Sequence, residues 1–185
     1  MINDILKEAD GKMDKSVEAT REEFAAIRAG RAHPSMFAKL VADYYGTPTP
    51  LQQLASFAIP DARTILITPF DKSSMAEIEK TLRESDLGVN PSNDGNMIRC
   101  VLPLLTEERR KDYIKLARHK GEDAKVSIRN IRRKAKDELD KLVKDGEVGE
   151  DDGNRAEKEL DATTKKYVDT VDELLKGKES ELLEV

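Results

Sequence analysis

Apolar residues recur every three or four positions at both ends of the chain and give way to short alternating runs in the middle. At the amino end Ile2, Leu6, Ala9, Met13, Val17, Thr20, Phe24 and Ile27 keep a helical period, which predicts one amphipathic helix of about seven turns. Gly30 is placed to end it as a left-handed cap, with Arg28 near the negative end of the helix and Pro34 just beyond. A second helix is predicted from Thr106, an N-cap followed by Glu107 and Glu108, where carboxylates favour the helix dipole. Its seam runs through Tyr113, Ala117, Gly121, Ala124, Ile128, Ile131, Ala135, Leu139 and Leu142, and Gly146 stops it. A third, after a turn over 149–153, carries Leu160, Thr164, Tyr167, Val171, Leu174, Leu182 and Val185.

The middle has different punctuation. All seven prolines fall between Pro34 and Pro103, and proline costs about 3 kcal/mol inside a helix. Strand-prone runs occur at 37–45, 55–59, 63–68 and 97–102, bounded by Gly46, Pro60, Pro69 and the turn signal Asn93, Asp94, Gly95. Ser74 with Glu77 forms a capping box that opens a helix through Ile78 and Leu82, stopping near Gly88. The expected fold is therefore α+β: a long three-helix bundle made of residues 1–30 and 105–185, with a small β/α/β domain inserted at 31–104. The insert hangs on a two-stranded hinge that includes Gly30, Arg31, Ala32, Pro103 and Leu104.

Composition narrows the chemistry. With 37% charged and 4% aromatic residues and no Trp, the chain is too polar for one thick core and suits helices joined by a narrow apolar seam. The single Cys100 forms no internal disulfide and fits a reducing compartment. It sits on a predicted strand, where it behaves as a small hydrophobe. No apolar run approaches the roughly 18 residues that span a bilayer. Asp4, Glu8 and Asp10 make the amino end too acidic for a targeting peptide, so a cytoplasmic location without membrane association is expected. His33 and His119 lie far apart and read as solvated side chains; zinc spacing, a phosphate-binding glycine loop and a nucleophile elbow are all missing. Catalytic residues, metal ligands and cofactors are not expected. Only eight Asp and Glu lie between 31 and 104, and none forms a recognisable acid–base pair.

Charge is segregated between the second and third helices. Residues 105–144 hold 14 Lys and Arg against 8 Asp and Glu, whereas residues 145–185 hold 6 against 14. On the basic helix Lys111, Lys115, Arg118, Lys125, Arg129, Arg132 and Lys136 follow at steps of three and four, interrupted only by Glu122. At about 1.5 Å per residue this is a stripe of roughly 38 Å, widened by Arg133 and suited to a phosphate backbone. The competing reading is that these cations pair with acids on the third helix. The cluster Arg129, Arg132 and Arg133 favours phosphate, which Arg forks grip bidentately. Tyr44 and Tyr45 offer a stacking face, but adjacent strand residues point to opposite sides, which favours a packing role.

Six blocks resemble those of ribosome recycling factors. They are residues 27–32 (Ile-Arg-Ala-Gly-Arg-Ala), 43–55 with Tyr-Tyr-Gly-Thr-Pro-Thr-Pro, 85–95, 105–111 (Leu-Thr-Glu-Glu-Arg-Arg-Lys), 126–134 and 178–185. The resemblance spans both predicted domains and implies a monomeric, non-enzymatic protein. Such a protein binds the post-termination ribosome in the intersubunit space, against large-subunit rRNA, and works with elongation factor G and GTP to separate the subunits and release mRNA. By resemblance Arg129, Arg132 and Arg133 are the RNA-facing set, Arg110 belongs to the same basic surface, and Arg28 and Arg31 flank the hinge. Together with Lys125 and Arg118 from the stripe, Arg28, Arg110 and the three arginines make up the expected rRNA-binding residues. A helical adaptor for another protein is the alternative; it would expose apolar positions off the three seams, and few are present.

Overall fold

The computed structural model describes residues 1–184; Val185, assigned above to the third seam, lies outside them. The chain divides into two compact units, one of residues 1–21 with 116–178 and the other of residues 22–115 with the segment from 179 onward.

Three helices run through the chain, α1 (Ile2–Ala26), α4 (Glu107–Lys144) and α5 (Glu150–Leu183), and the first unit is built from their portions within 1–21 and 116–178. Its core draws on the predicted seam, Ala9, Met13 and Val17 from α1, Ala124, Ile128, Ala135 and Leu139 from α4, and Leu160, Tyr167 and Val171 from α5, and adds Ala156, one turn before the expected start of the third seam. Small residues at every second or third seam position let the helices approach closely. Thr20 and Thr164, both buried, satisfy their hydroxyls by donating to the carbonyls of Ser16 and Leu160, each at 2.8 Å. Gly146, with φ of 74°, ends α4 as expected. The Gly146 N–H donates to Val143 O and the Glu147 N–H to Leu142 O, the paired bonds of a Schellman cap. The predicted 149–153 turn is shorter than expected, because α5 begins at Glu150 and Gly153 lies inside it. A Cβ at Gly153 would meet Val143 Cγ2 at 2.6 Å, so glycine there serves helix contact rather than a turn.

The expectation for Gly30 is corrected. α1 ends at Ala26, and the left-handed glycines are Gly46, Gly88, Gly95 and Gly146, not Gly30. The chain leaves the helix before the cap position, and just beyond Gly30 the Ala32 N–H is drawn to Ala62 O at 2.7 Å instead of turning back on the helix. A side chain at Gly30 would make only ordinary contact, 3.6 Å from Glu184 O.

In the second unit β1 (Val41–Tyr44) and β2 (Thr47–Pro50) form a hairpin, and α2 is the single turn Leu51–Leu54. Four further strands, β3 (Ala55–Asp61), β4 (Thr64–Pro69), β5 (Asn90–Asn93) and β6 (Ile98–Val101), make an antiparallel sheet in the order β3-β4-β6-β5. Between β4 and β5 runs α3 (Met75–Glu84), whose Met75, Ile78 and Leu82 are buried. The core gathers Phe37, Leu51, Ile65, Ile67, Ile78, Leu82, Ile98, Cys100 and Leu102, all fully buried.

The predicted 37–45 strand is in fact two elements, a 3₁₀ turn at Pro34–Phe37 and then β1. His33 caps that turn, its Nδ1 accepting from the Ser35 N–H at 3.1 Å, so it does more than face solvent. The Ser74–Glu77 capping box is also corrected. Ser74 has helical dihedrals and its hydroxyl donates to Asp71 O at 2.6 Å. The cap is Asp71, which accepts from the Ser73 N–H at 2.9 Å ahead of a 3₁₀ turn at Lys72–Ser74.

Candidate nucleic-acid interface

Thr106 Oγ1 accepts from the Arg109 N–H at 3.1 Å and fixes the start of α4. From there the helical period decides which cations face α5. Lys125 Nζ lies 2.5 Å from Asp172, Arg132 Nε 2.6 Å from Asp161 and Lys136 Nζ 4.0 Å from Glu157. Partner numbers fall along α5 as the cation numbers rise along α4, the register of antiparallel helices. These three cations are partly sheltered, Lys125 most of all at 13% side-chain exposure. The Asp172 carboxylate raises the Lys125 pKa, and Asp140 does the same for Lys136. The ladder thus uses three members of the predicted stripe within the unit.

Arg129, although it falls on the same three-and-four spacing, and Arg133 beside it take no part in that ladder. Both are exposed. Arg133 reaches only Asn130 Oδ1, at 3.0 Å, and Arg129 makes no hydrogen bond or ion pair among the described residues. Arg132 gives its Nε to Asp161 and keeps about a third of its side chain in solvent. Arg118 and Lys115 are exposed further up the helix, and Lys111 pairs weakly with Glu107 at 3.5 Å. His119, also exposed, lies 3.4 Å from Asp123.

The remaining predicted residues fall in the second unit. Arg28 is 6% exposed and donates from a terminal nitrogen to Pro103 O. Burial lowers its pKa, partly offset by Tyr113, with neighbouring Arg63 pushing further down. The Nε atoms of Arg28 and Arg110 are buried without a hydrogen-bond partner among the described residues. Arg31 is exposed, Ala32 is buried, and Pro103 and Leu104 are exposed, Leu104 at 75%. Arg63 was not anticipated. Its Nε donates to Leu102 O at 2.8 Å, and no periodicity marks it; the only sequence signal is Asp61 two residues before it, whose carboxylate accepts from the Arg63 N–H at 2.9 Å.

Other chemistry stays inert. Burial pushes the Cys100 thiol up to about 11, far from a reactive thiolate. Among the described residues no three His, Cys, Asp or Glu are grouped to hold a metal, and no helix is long and apolar enough to cross a membrane.

The fold is α+β, a helical bundle and a small β/α/β unit, with exposed cations along α4. A family model described as ribosome recycling factor matches residues 20–183. Ribosome-recycling factors of Nocardioides sp. and Streptomyces avermitilis are each 69% identical, and that of Kineococcus radiotolerans 68%, over 185 residues that cover all of this chain and all of theirs. A ribosome recycling factor solved in solution matches with a TM-score of 0.81 at 38% identity, over 100% of this chain and 98% of that one. A T. thermophilus ribosome recycling factor, placed with E. coli elongation factor G on the E. coli post-termination complex, matches with a TM-score of 0.70 at 40% identity over the whole of both chains. The chain belongs to the ribosome recycling factor family. Its function is ribosome recycling, and it is not an enzyme.

Proposed function

We propose that this protein binds the post-termination ribosome in the cytoplasm as a monomer. With elongation factor G and GTP it promotes dissociation into subunits and release of mRNA. Support for the partner comes from the 40% identical T. thermophilus factor placed together with elongation factor G. The observation that carries the rRNA contact is the division of labour on α4. Lys125, Arg132 and Lys136 answer the acids of α5, while Arg129 and Arg133 are left to solvent with their forks largely uncommitted. A guanidinium without an internal partner has no desolvated bond to break before it meets a phosphate, and two forks one turn apart suit bidentate grip. Arg118 and the outer edge of Arg132 extend the same face. In this reading residues 1–30 with 105–185 dock on large-subunit rRNA. The 31–104 insert receives the push from elongation factor G through the connectors at 30–34 and 102–105.

The test is Arg129→Glu, assayed by light scattering of post-termination ribosomes with elongation factor G and GTP, alongside large-subunit affinity as a function of salt. A phosphate contact contributes about 0.7 to 0.9 to the logarithmic salt slope, so the variant should lose roughly one unit of slope and split subunits at least about tenfold more slowly. Unchanged slope and unchanged splitting in a folded variant would move the RNA contact off this face.

A further inference from the structure

Both connectors of the second unit end on the same short turn. The Ala32 N–H donates to Ala62 O at 2.7 Å, and the Leu102 N–H donates to Arg63 O at 2.7 Å. Ala62 and Arg63 are the turn between β3 and β4. The return connector is gripped a second time by side chains, Arg63 Nε donating to Leu102 O and Arg28 to Pro103 O. Consecutive carbonyls at 102 and 103 are therefore each held by a guanidinium. The turn is itself braced, because Asp61 accepts from the Arg63 N–H and its carboxylate is held in the charged form by that bond and by Thr64.

We infer that Arg63 is a positioning residue for the recycling reaction, a clamp that ties both connectors to the β3–β4 turn and sets how freely they bend. Three features separate this from ordinary surface hydrogen bonding. A guanidinium to carbonyl bond is charge-assisted and stronger than a neutral one. Arg63 also neighbours Arg28, whose pKa is lowered by burial first and by the Arg63 charge as well, with Tyr113 opposing. Neither has an ion-pair partner among the described residues. The bonds to the adjacent carbonyls of Leu102 and Pro103 are thus what ties the two guanidiniums to the connector, so loss of one bond loosens it. Finally, Pro103 has no N–H and Leu104 is solvent-exposed. The connector residues just beyond the clamp thus have little else to hold them.

The experiment compares Arg63→Met and Arg63→Lys with wild type in the full chain. Amide hydrogen exchange is read at Ala32 and Leu102, with Ile65 and Ile67 as internal controls in the same sheet. Arg63→Met should speed exchange at Ala32 and Leu102 by about tenfold or more, the worth of one charge-assisted bond. The controls should stay within about twofold, and Arg63→Lys should fall between, since an ammonium keeps the charge but not the fork. Equal exchange at Ala32 and Leu102 in all three proteins overturns the clamp, as does acceleration that is as large at Ile65 and Ile67. A second arm rests on the recycling reading above: Arg63→Met should slow subunit splitting while leaving large-subunit affinity within about twofold, because the clamp acts on connectors and not on RNA. If exchange changes and splitting does not, the clamp is real and its role in recycling is overturned.

Discussion

The two units bury apolar surface in opposite ways. The helical unit relies on a seam in which Ala9, Ala117, Gly121, Ala124, Ala135, Ala156 and Gly153 alternate with larger residues such as Met13, Ile128, Leu139 and Leu160. The mixed unit collects large side chains from many short elements: Phe37, Leu51, Ile65, Ile67, Ile78, Leu82, Ile98 and Leu102 are each 0% exposed. Long helices supply their own backbone hydrogen bonds, so their packing depends chiefly on how closely they approach. Short strands and single turns have little local stability, and the mixed unit depends on the volume at its centre. Deleting volume should therefore hurt the mixed unit most, and adding volume should hurt the helical unit most.

The largest expected effect tests the first half of that contrast. Ile67 is fully buried on β4, paired with Phe57 on β3 and Ile98 on β6. Ile67→Ala should cost about 2 to 5 kcal/mol, measured as the shift in urea midpoint at unchanged slope. The contrast fails if Ala replacement at Ile128 in the helical seam costs appreciably more.

Adding volume is tested at Gly153. An added methyl would press on Val143 Cγ2, and valine has little rotamer freedom in a helix. Overpacking costs about 1 to 3 kcal/mol, against about 1 kcal/mol gained from replacing glycine by alanine in a helix. Gly153→Ala should thus be destabilising by about 1 kcal/mol, and Val143→Ala in the same chain should recover most of it. A stabilised single variant would show that α4 and α5 are not in close contact there.

The same contrast explains what could be read from the sequence. Long helices repeat their signal over many turns, so all three seams and the caps at Thr106 and Gly146 were legible. The ends without a repeated signal were not. α1 stops at Ala26 and the connector that follows hydrogen-bonds to the β3–β4 turn, a tertiary contact with no local mark at Gly30. β2 and β5 were missed because their sequences, Thr-Pro-Thr-Pro and Asn-Pro-Ser-Asn, read as turns. Proline is tolerated in β5 because it forms the edge of its sheet and pairs on one side only. The basic stripe was visible as spacing. Its sorting into cations that face α5 and cations that face solvent needed the register of the two helices, and Arg63 needed the topology that brings Leu102 to a turn nearly forty positions earlier.

The smallest effect probes how the helical unit fixes its register with polar groups. Tyr167 is buried at 6% exposure, and its hydroxyl donates to Asp10 Oδ1 at 2.9 Å, linking α5 to α1. Burial, then the Asp10 hydrogen bond and charge, push its pKa up to about 12 from the ordinary value of 10.0. The folded protein thus holds this proton more tightly than the unfolded chain does. The corresponding stability is fully present below about pH 10 and is lost as the pH rises toward 12, where the unfolded chain has already released the proton. Tyr167→Phe removes both the hydrogen bond and this titration. Near pH 8 the wild type should exceed the variant by about 1 kcal/mol in urea unfolding, and near pH 11 the gap should close, since the lysines titrate alike in both proteins. A gap that stays constant across that range would mean the hydroxyl and Asp10 contribute no coupling, and that register in this unit comes from the small-residue seam alone.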